Sequence, residues 1–153
     1  MGFDVHRFVS GRALWLGGIH IQHEKGLLGH SDADALIHAL CDALLGAAAL
    51  RDIGYHFPDT DDSYKNIDSK ILLKQTMELL RTNSFEFGNA DITVCAEAPR
   101  LNTHIPLMIN CLSETMQVDP GSISIKATTS EKMGYVGREE GIAVYATVLI
   151  FKK

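Results

Sequence analysis

One segment constrains the fold more than any other: residues 33–49 carry the strongest helix pattern in the chain. The segment is rich in alanine and leucine, and Ser31 or Asp32 stands where a side chain can cap its first turn. Asp34, His38 and Asp42 follow one another at one-turn spacing and form a polar stripe on an otherwise apolar helix. The rest of the fold has to be arranged around this helix.

Alternation of apolar and polar residues predicts strands around it, at 3–8, 14–21, 85–98, 122–127 and 143–151, the second interrupted by a turn or bulge at Gly17-Gly18. Further helices are predicted at 68–82 and 103–116. Segments 24–30, 51–63 and 128–141 are predicted to be loops, and Asp119-Pro-Gly a turn. The order ββααβαββ predicts one α+β domain over residues 1–153, with two layers and with helices packed on one face of a mixed sheet. Homo-oligomerisation would bury the bare sheet face.

Composition narrows the function classes. The chain has 153 residues, 46% hydrophobic and 22% charged, which is typical of a globular protein. A net charge of -5 argues against a broad nucleic-acid surface. The longest apolar stretch, 43–50, is far shorter than the ~20 residues of a membrane helix, and residues 1–12 show no signal peptide. Three cysteines without CxxC spacing fit a reducing cytoplasm.

The first candidate site is a metal site. Asp4 and His6 stand two apart on a predicted strand, so both side chains point to the same face. His38 adds a second imidazole from the long helix. Two imidazoles and one carboxylate suit zinc, with a fourth position open for a ligand. The alternative is that His38 belongs only to a solvated helix face.

Several polar segments could hold phosphate groups. His30-Ser31-Asp32 stands at the predicted helix start, where unpaired N–H groups attract anions, although Ser31 could serve only as a cap. Lys126–Lys132 leaves a strand with three hydroxyl side chains, and Glu131 there could bind Mg²⁺. Arg138 could clamp a phosphate or form a surface ion pair. Each of these segments could also be an ordinary polar turn.

A further segment, 52–62, is acidic and could bind sugar-like hydroxyls or a divalent cation, or be a solvated loop. The residues alone thus predict an α+β domain with an open zinc site and phosphate-binding loops. Metal-assisted phosphoryl transfer or hydrolysis is the reaction class that such a site supports. The residues alone do not identify the substrate.

Several short motifs occur in one order along the chain. They are Phe3-Asp-Val-His-Arg-Phe8, Glu24-Lys-Gly-Leu-Leu-Gly-His-Ser-Asp-Ala-Asp34, His38-Ala-Leu-Cys-Asp-Ala-Leu-Leu-Gly-Ala47, Asp52-Ile-Gly54, Phe57-Pro-Asp-Thr-Asp61, Lys126-Ala-Thr-Thr-Ser-Glu-Lys132 and Gly137-Arg138. In this order they resemble the 2-C-methyl-D-erythritol 2,4-cyclodiphosphate synthases over essentially the whole chain. The resemblance implies a homotrimer with active sites between subunits. It also implies a lyase of non-mevalonate isoprenoid biosynthesis that forms a cyclic diphosphate from a cytidine diphosphate substrate and releases CMP.

The resemblance also implies roles for individual residues. Asp4, His6 and His38 would hold zinc, and Glu131 would hold Mg²⁺ or Mn²⁺ with the substrate diphosphate. His30 and Thr129 would position the phosphates and stabilise the transition state. Substrate contacts would come from Ser31, Asp52, Gly54, Phe57, Asp59, Asp61, Ala96, Ala98, Pro99, Asn102, Thr128, Tyr135 and Arg138. Arg138 and Glu140 also match positions near the trimer axis, where relatives can hold an isoprenoid diphosphate.

Two other functions compete with the synthase. A zinc-dependent phosphohydrolase would use the open metal position to activate water, giving free phosphate or a linear product. A non-catalytic trimeric metal- or nucleotide-binding module would bind ligands without turnover. The resemblance favours the synthase because the chain keeps Asp4, His6, His38, Thr129 and Glu131 together. It departs from its relatives at Ala33 and Arg51, where glycine is frequent.

Overall fold

Seven strands and five helices make up the chain, and a computed structural model describes all residues 1–153. The strands are β1 (Gly2–Ser10), β2 (Leu14–Leu16), β3 (Ile19–Ile21), β4 (Lys25–Leu27), β5 (Phe85–Cys95), β6 (Ile123–Thr128) and β7 (Gly141–Lys152). The helices are α1 (Ala35–Ala47), α2 (Ile53–His56), α3 (Ser69–Thr82), α4 (Ile105–Met116) and α5 (Gly134–Gly137). Short 3₁₀ turns occupy Asp62–Tyr64 and Pro120–Ser122.

Five strands form a mixed sheet in the order β4-β1-β7-β5-β6. Only β5 and β6 run parallel, and α4 supplies the crossover between them. Helix α1 packs across β1 and β7, while α3 and α4 extend the same layer towards β5 and β6. The predicted α+β class, the mixed sheet and the single helical layer are confirmed.

A separate hairpin replaces the second predicted strand. Gly17 and Gly18 adopt φ values of +62° and +78°, which are strained for residues with a side chain, and they turn the chain back between β2 and β3. The two short strands pair only with each other. The prediction of an interruption at these glycines is confirmed, but the interruption reverses the strand direction.

The long helix begins later than predicted. Asp34, not Ser31 or Asp32, is its N-cap, and its Oδ1 accepts a hydrogen bond from the Ile37 amide at 3.0 Å. The fully buried carboxylate also accepts from the amides of Gly17 and Gly18, at 2.9 and 2.7 Å. Burial raises the pKa of Asp34. The residue therefore joins the hairpin to the start of the central helix.

Replacing Asp34 with alanine is expected to lower the free energy of unfolding by about 3 kcal/mol, because it removes a cap and leaves two further buried amides without an acceptor. Urea denaturation measures the change. Asp68→Ala is the matched control, since Asp68 caps α3 through a single amide and should cost only about 1 kcal/mol. Equal losses in the two variants would contradict the role given to Asp34.

The three segments predicted as loops each contain a short element. Segment 24–30 includes β4, which pairs with the end of β1 through Phe8↔Leu27. A Cβ on Gly26 would come within 2.3 Å of the Ala13 carbonyl oxygen, so only glycine fits this close approach. Segments 51–63 and 128–141 contain α2 and α5, each four residues long. Elements this short give no periodicity to detect, and contacts with distant residues form them.

The two faces of the sheet differ sharply. Alternate residues of β7 such as Ile142, Val144 and Ala146 are fully buried beneath α1. The opposite face exposes large apolar side chains, namely Phe3, Val5, Tyr145, Leu149 and Phe151. No helix of this fold has both the length and the apolar character required to cross a membrane.

Candidate metal centre and active site

Three side chains from two elements converge on one point. Asp4 and His6 project from the same face of β1, and His38 reaches them from α1 above. Asp4 Oδ2 lies 3.0 Å from His6 Nε2 and 3.1 Å from His38 Nδ1, and the two nitrogens are 3.3 Å apart. The predicted metal triad is therefore assembled in space.

The donor set fits a zinc ion. Tetrahedral zinc with ligand bonds of about 2.0–2.1 Å separates its ligand atoms by roughly 3.3 Å, close to the spacings found here. His6 Nδ1 lies 2.7 Å from the Leu28 carbonyl oxygen, which can only accept a hydrogen bond. The Nδ1 proton is thereby placed, and Nε2 is the ring nitrogen left to face Asp4 and to bind a metal once its own proton is displaced. An oriented imidazole of this kind is the usual arrangement around a bound metal.

The cluster is electrostatically poised for a cation. Burial opposes ionisation of Asp4, but the neighbouring imidazoles of His38 and His6 outweigh it and hold the pKa of that carboxyl well below its usual range. For His6, burial lowers the pKa, yet the hydrogen bond and charge of Asp4 prevail and raise it. The negative charge of Asp4 thus persists, and protons would compete with a metal for the same nitrogens.

A cavity of about 310 Å³ opens beside the triad. Of the predicted substrate and catalytic residues, it brings together His30, Ser31, Phe57 and Asp59 with the three ligands. Four lining residues were not predicted: Gly29, Tyr64, Ile67 and Leu72. Tyr64 stacks edge-on against Phe57 at 5.7 Å, a contact that sequence spacing does not reveal.

The phosphate site predicted at the helix start is corrected by the structure. Because α1 begins at Ala35, residues 30–32 lie before the helix, and the Asp34 carboxylate already occupies the amide of Ile37. Ser31 is buried, and its Oγ accepts from the Ala33 amide. His30 and Ser31 still border the cavity.

The acidic segment has two parts. His30 Nε2 lies 3.3 Å from the Asp61 carbonyl oxygen, which links this segment to the cavity. The Asp61 carboxylate itself caps the 3₁₀ turn by accepting from Ser63 N. Asp52 and Gly54 lie exposed at the start of α2, outside the cavity lining.

A second group of predicted residues lies at the end of β6. Thr129 Oγ1 donates to Glu131 Oε1 at 3.2 Å and accepts from the Glu131 amide at 3.3 Å. Glu97, which was not predicted, accepts hydrogen bonds from the amides of Ser130 and Lys132, both at 3.1 Å, and so fixes this loop. Glu97 lies between Ala96 and Ala98, which were predicted as substrate contacts, but nothing in the sequence indicates its structural role.

The remaining predicted contacts surround the same loop. The Ala96 amide donates to the Thr128 carbonyl oxygen at 2.9 Å, so segment 96–102 adjoins it. Asn102 is exposed. Ala98 and Pro99 are half-buried in this segment. Tyr135 lines a separate cavity of about 210 Å³. Arg138 pairs with Glu140 at 2.6 Å on the surface, so the ion-pair interpretation describes its contact within one chain.

The two groups are separated within the chain. Through the sheet register, Val5 of β1 stands opposite Ala143, which pairs with Cys95, which pairs with Thr128. Three strand spacings of about 4.8 Å place the β6 end roughly 14 Å from β1. A single chain therefore does not bring Thr129 and Glu131 to the metal triad.

Comparisons with known proteins agree with the motifs. The model of the YgbB family matches residues 1–151. A relative from Bacteroides fragilis named 2-C-methyl-D-erythritol 2,4-cyclodiphosphate synthase is 67% identical over 149 residues, covering 97% of this chain and 94% of its own. Among solved structures, the bifunctional IspDF of Campylobacter jejuni superposes with a TM-score of 0.96 and 45% identity. That match covers 99% of this chain and 41% of the bifunctional one. A CDP-bound 2C-methyl-D-erythritol-2,4-cyclodiphosphate synthase gives 0.90 and 35%, covering 98% and 97%.

Proposed function

This chain belongs to the YgbB family, that of the 2-C-methyl-D-erythritol 2,4-cyclodiphosphate synthases, and from that membership we propose the reaction that it catalyses. The enzyme converts 4-diphosphocytidyl-2-C-methyl-D-erythritol 2-phosphate into the 2,4-cyclodiphosphate and CMP. The observation that carries the proposal is the assembled triad of Asp4, His6 and His38 in a chain 67% identical to a named synthase.

The chemical step is an intramolecular displacement. An oxygen of the 2-phosphate forms a bond to the β-phosphorus, and the bond from that phosphorus to the oxygen bridging to the α-phosphate breaks. The electron pair leaves with that oxygen on CMP, so no water and no redox partner is consumed. Because nucleophile and electrophile belong to one molecule, holding them in line contributes much of the rate.

Charge repulsion is the obstacle to this step, and the triad is placed to relieve it. Asp4, His6 and His38 would hold Zn²⁺, while Glu131 would help to hold Mg²⁺ or Mn²⁺ at the diphosphate. The bound cations would polarise the phosphate oxygens and neutralise the charge that develops during attack. With three protein ligands, the ion would have one coordination position to offer to a substrate oxygen.

The other residues would position the substrate. We assign His30 and Thr129 to holding the phosphates and stabilising the transition state, with Ser31 as a further donor. The cavity wall formed by Phe57 and Asp59 would take the methylerythritol moiety, helped by Asp52, Gly54 and Asp61. Segment 96–102, with Thr128, would take cytidine, partly through its backbone. Tyr135 and Arg138 would make further contacts.

A homotrimer would complete the site. The exposed apolar side chains of β1 and β7 form a face that monomers rarely leave open. The metal triad and the Thr129 loop lie about three strands apart in one chain, so a neighbouring copy has to supply the missing half. An axial channel near Arg138 and Glu140 could also admit an isoprenoid diphosphate.

The cysteines support a reducing compartment. Cys41, Cys95 and Cys111 are free. Burial raises the pKa of the Cys41 thiol to about 12, and it also raises the pKa of Cys95 and Cys111. Such thiols stay protonated and unreactive. We place the enzyme in the cytoplasm because its three cysteines are all unpaired, which fits a reducing compartment.

Phosphorus NMR of the purified chain with the cytidine diphosphate substrate, zinc and Mg²⁺ tests the function. We expect cyclic diphosphate signals to grow in step with CMP. Free phosphate or a linear product would establish a zinc-dependent phosphohydrolase in place of the synthase. Bound zinc without any turnover would instead establish a non-catalytic binding module.

A further inference from the structure

A chain of hydrogen bonds leads away from the metal-facing ring of His38. His38 Nε2 lies 2.9 Å from Ser69 Oγ, and this hydroxyl donates in turn to Asp32 Oδ1. Ser69 is fully buried at the first position of α3, and Asp32 lies in the loop before α1. The sequence separates Ser69 from Asp32 by 37 positions and from His38 by 31. Ser69 belongs to no predicted site, and Asp32 was predicted only as part of the phosphate-binding segment 30–32 or as a helix cap.

The direction of this chain is set at Asp32. An ionised carboxylate only accepts hydrogen bonds, and that of Asp32 also accepts from the amides of Ser69 and Asp34 at 2.9 and 3.1 Å. The Ser69 hydroxyl proton is therefore committed to Asp32, and Ser69 Oγ is left to accept from His38.

The consequence reaches the metal-facing nitrogen. If Ser69 Oγ accepts, His38 Nε2 carries the ring proton, and Nδ1 is left to offer its lone pair to a metal held together with Asp4 and His6. The opposite tautomer would point a proton into the centre of the triad. Ser31 Oγ also lies 3.1 Å from His38 Nε2 and accepts from the Ala33 amide. No carboxylate accepts the Ser31 hydroxyl proton, so Ser31 does not fix the direction of the hydrogen bond to His38. The direction thus depends on Asp32 and Ser69.

We propose that Asp32 and Ser69 are positioning residues that hold His38 in the tautomer able to bind metal. The inference rests on the proposed metal centre. Neither residue touches the metal-facing atoms, and both act through the ring of His38. Second-layer partners of this kind commonly change metal affinity 10- to 100-fold.

Ser69→Ala in the full chain is the direct test. It removes the hydroxyl but keeps the backbone N–H of residue 69, which donates to Asp32 Oδ2. We expect zinc affinity, measured by competition with a chromogenic chelator, to fall about 10- to 100-fold. Ser113→Ala is the matched control, since that buried helical hydroxyl bonds only to the Asn110 carbonyl oxygen. Its zinc affinity should equal that of the unchanged protein.

Asp32→Asn provides a second variant of nearly the same shape. In either orientation of the asparagine, its NH₂ group meets a donor, the Ser69 hydroxyl and Asp34 amide on one side or the Ser69 amide on the other, so the contact that fixes the Ser69 hydroxyl is disrupted. We expect at least a tenfold loss of zinc affinity. Nitrogen-15 NMR of the zinc-loaded protein should show a slowly exchanging proton on His38 Nε2 that neither variant retains.

The outcomes separate the two proposals. If the unchanged protein fails to bind zinc, the metal centre itself is wrong. If it binds zinc while both variants stay within twofold of its affinity and keep the Nε2 proton signal, only the positioning role is overturned. Should Ser69→Ala fail to fold, Asp32→Asn decides the question by the same two measurements.

Discussion

Replacing His38 with alanine is expected to abolish stoichiometric zinc binding and to lower turnover by roughly a thousandfold or more. The change leaves two ligands, Asp4 and His6, where three converge. A bound metal supplies several kcal/mol of charge stabilisation in such reactions, and each 1.4 kcal/mol corresponds to a factor of ten in rate. The fold should persist, because the imidazole, although only 13% exposed, borders the cavity and is not part of the apolar core.

Elemental analysis and turnover followed by phosphorus NMR measure the two effects. His20→Ala serves as the control, since that imidazole is exposed on the β2–β3 hairpin away from the triad. Near-normal zinc content and turnover in the His38 variant would contradict the assignment of His38 as a metal ligand. A full loss of helical circular dichroism would instead show that His38 is needed for folding.

A charge placed on the exposed apolar face of β1 and β7, the open sheet face, should break the proposed trimer. Tyr145→Asp puts a carboxylate beside Phe3, whose ring lies 5.0 Å from that of Tyr145. Burying an unpaired charge against a second subunit is costly. We expect the sedimenting mass to fall about threefold, and turnover to drop roughly a hundredfold or more because the phosphate donors of a neighbouring loop are withdrawn.

Leu107→Asp is the matched control for this experiment. Leu107 is 57% exposed on α4, on the layer opposite the open sheet face, and the same charge there should leave both mass and turnover unchanged. A Tyr145→Asp protein that keeps the mass and activity of the unchanged chain would contradict the proposed interface. Analytical ultracentrifugation across a range of concentrations decides between the results.

The sequence predicts the long elements well and the short ones poorly. The helix at 33–49 and the strand at 143–151 extend over enough residues for their periodicity to be read, and both exist within a few residues of the predicted bounds. Strand β4 has three residues and exists because β1 offers it a pairing edge. The Asp34 cap was missed because the carboxylate also accepts hydrogen bonds from the Gly17 and Gly18 amides of the hairpin. Sequence spacing gives no indication of those contacts.

The candidate site divides in the same way. Asp4 and His6 could be paired from strand geometry alone. His38 was a candidate third ligand from the long helix, with a solvated helix face as the alternative, and the structure places it beside the other two. No sequence motif indicated the roles of Ser69 and Glu97, because each acts through a contact with a residue more than thirty positions away in the chain. Side chains that orient other side chains are visible only once the fold has brought them together.

The separation between the metal triad and the Thr129 loop has a consequence for genetics. In a closed ring each chain would lend its triad to one neighbour and its loop to the other. Two inactive versions of the chain, one damaged at His38 and one at Thr129, should then complement each other when they are co-expressed. Every mixed ring would regain one undamaged site, built from the sound half of each version. The effect of one lesion would then depend on which half of the site the other version of the chain keeps intact.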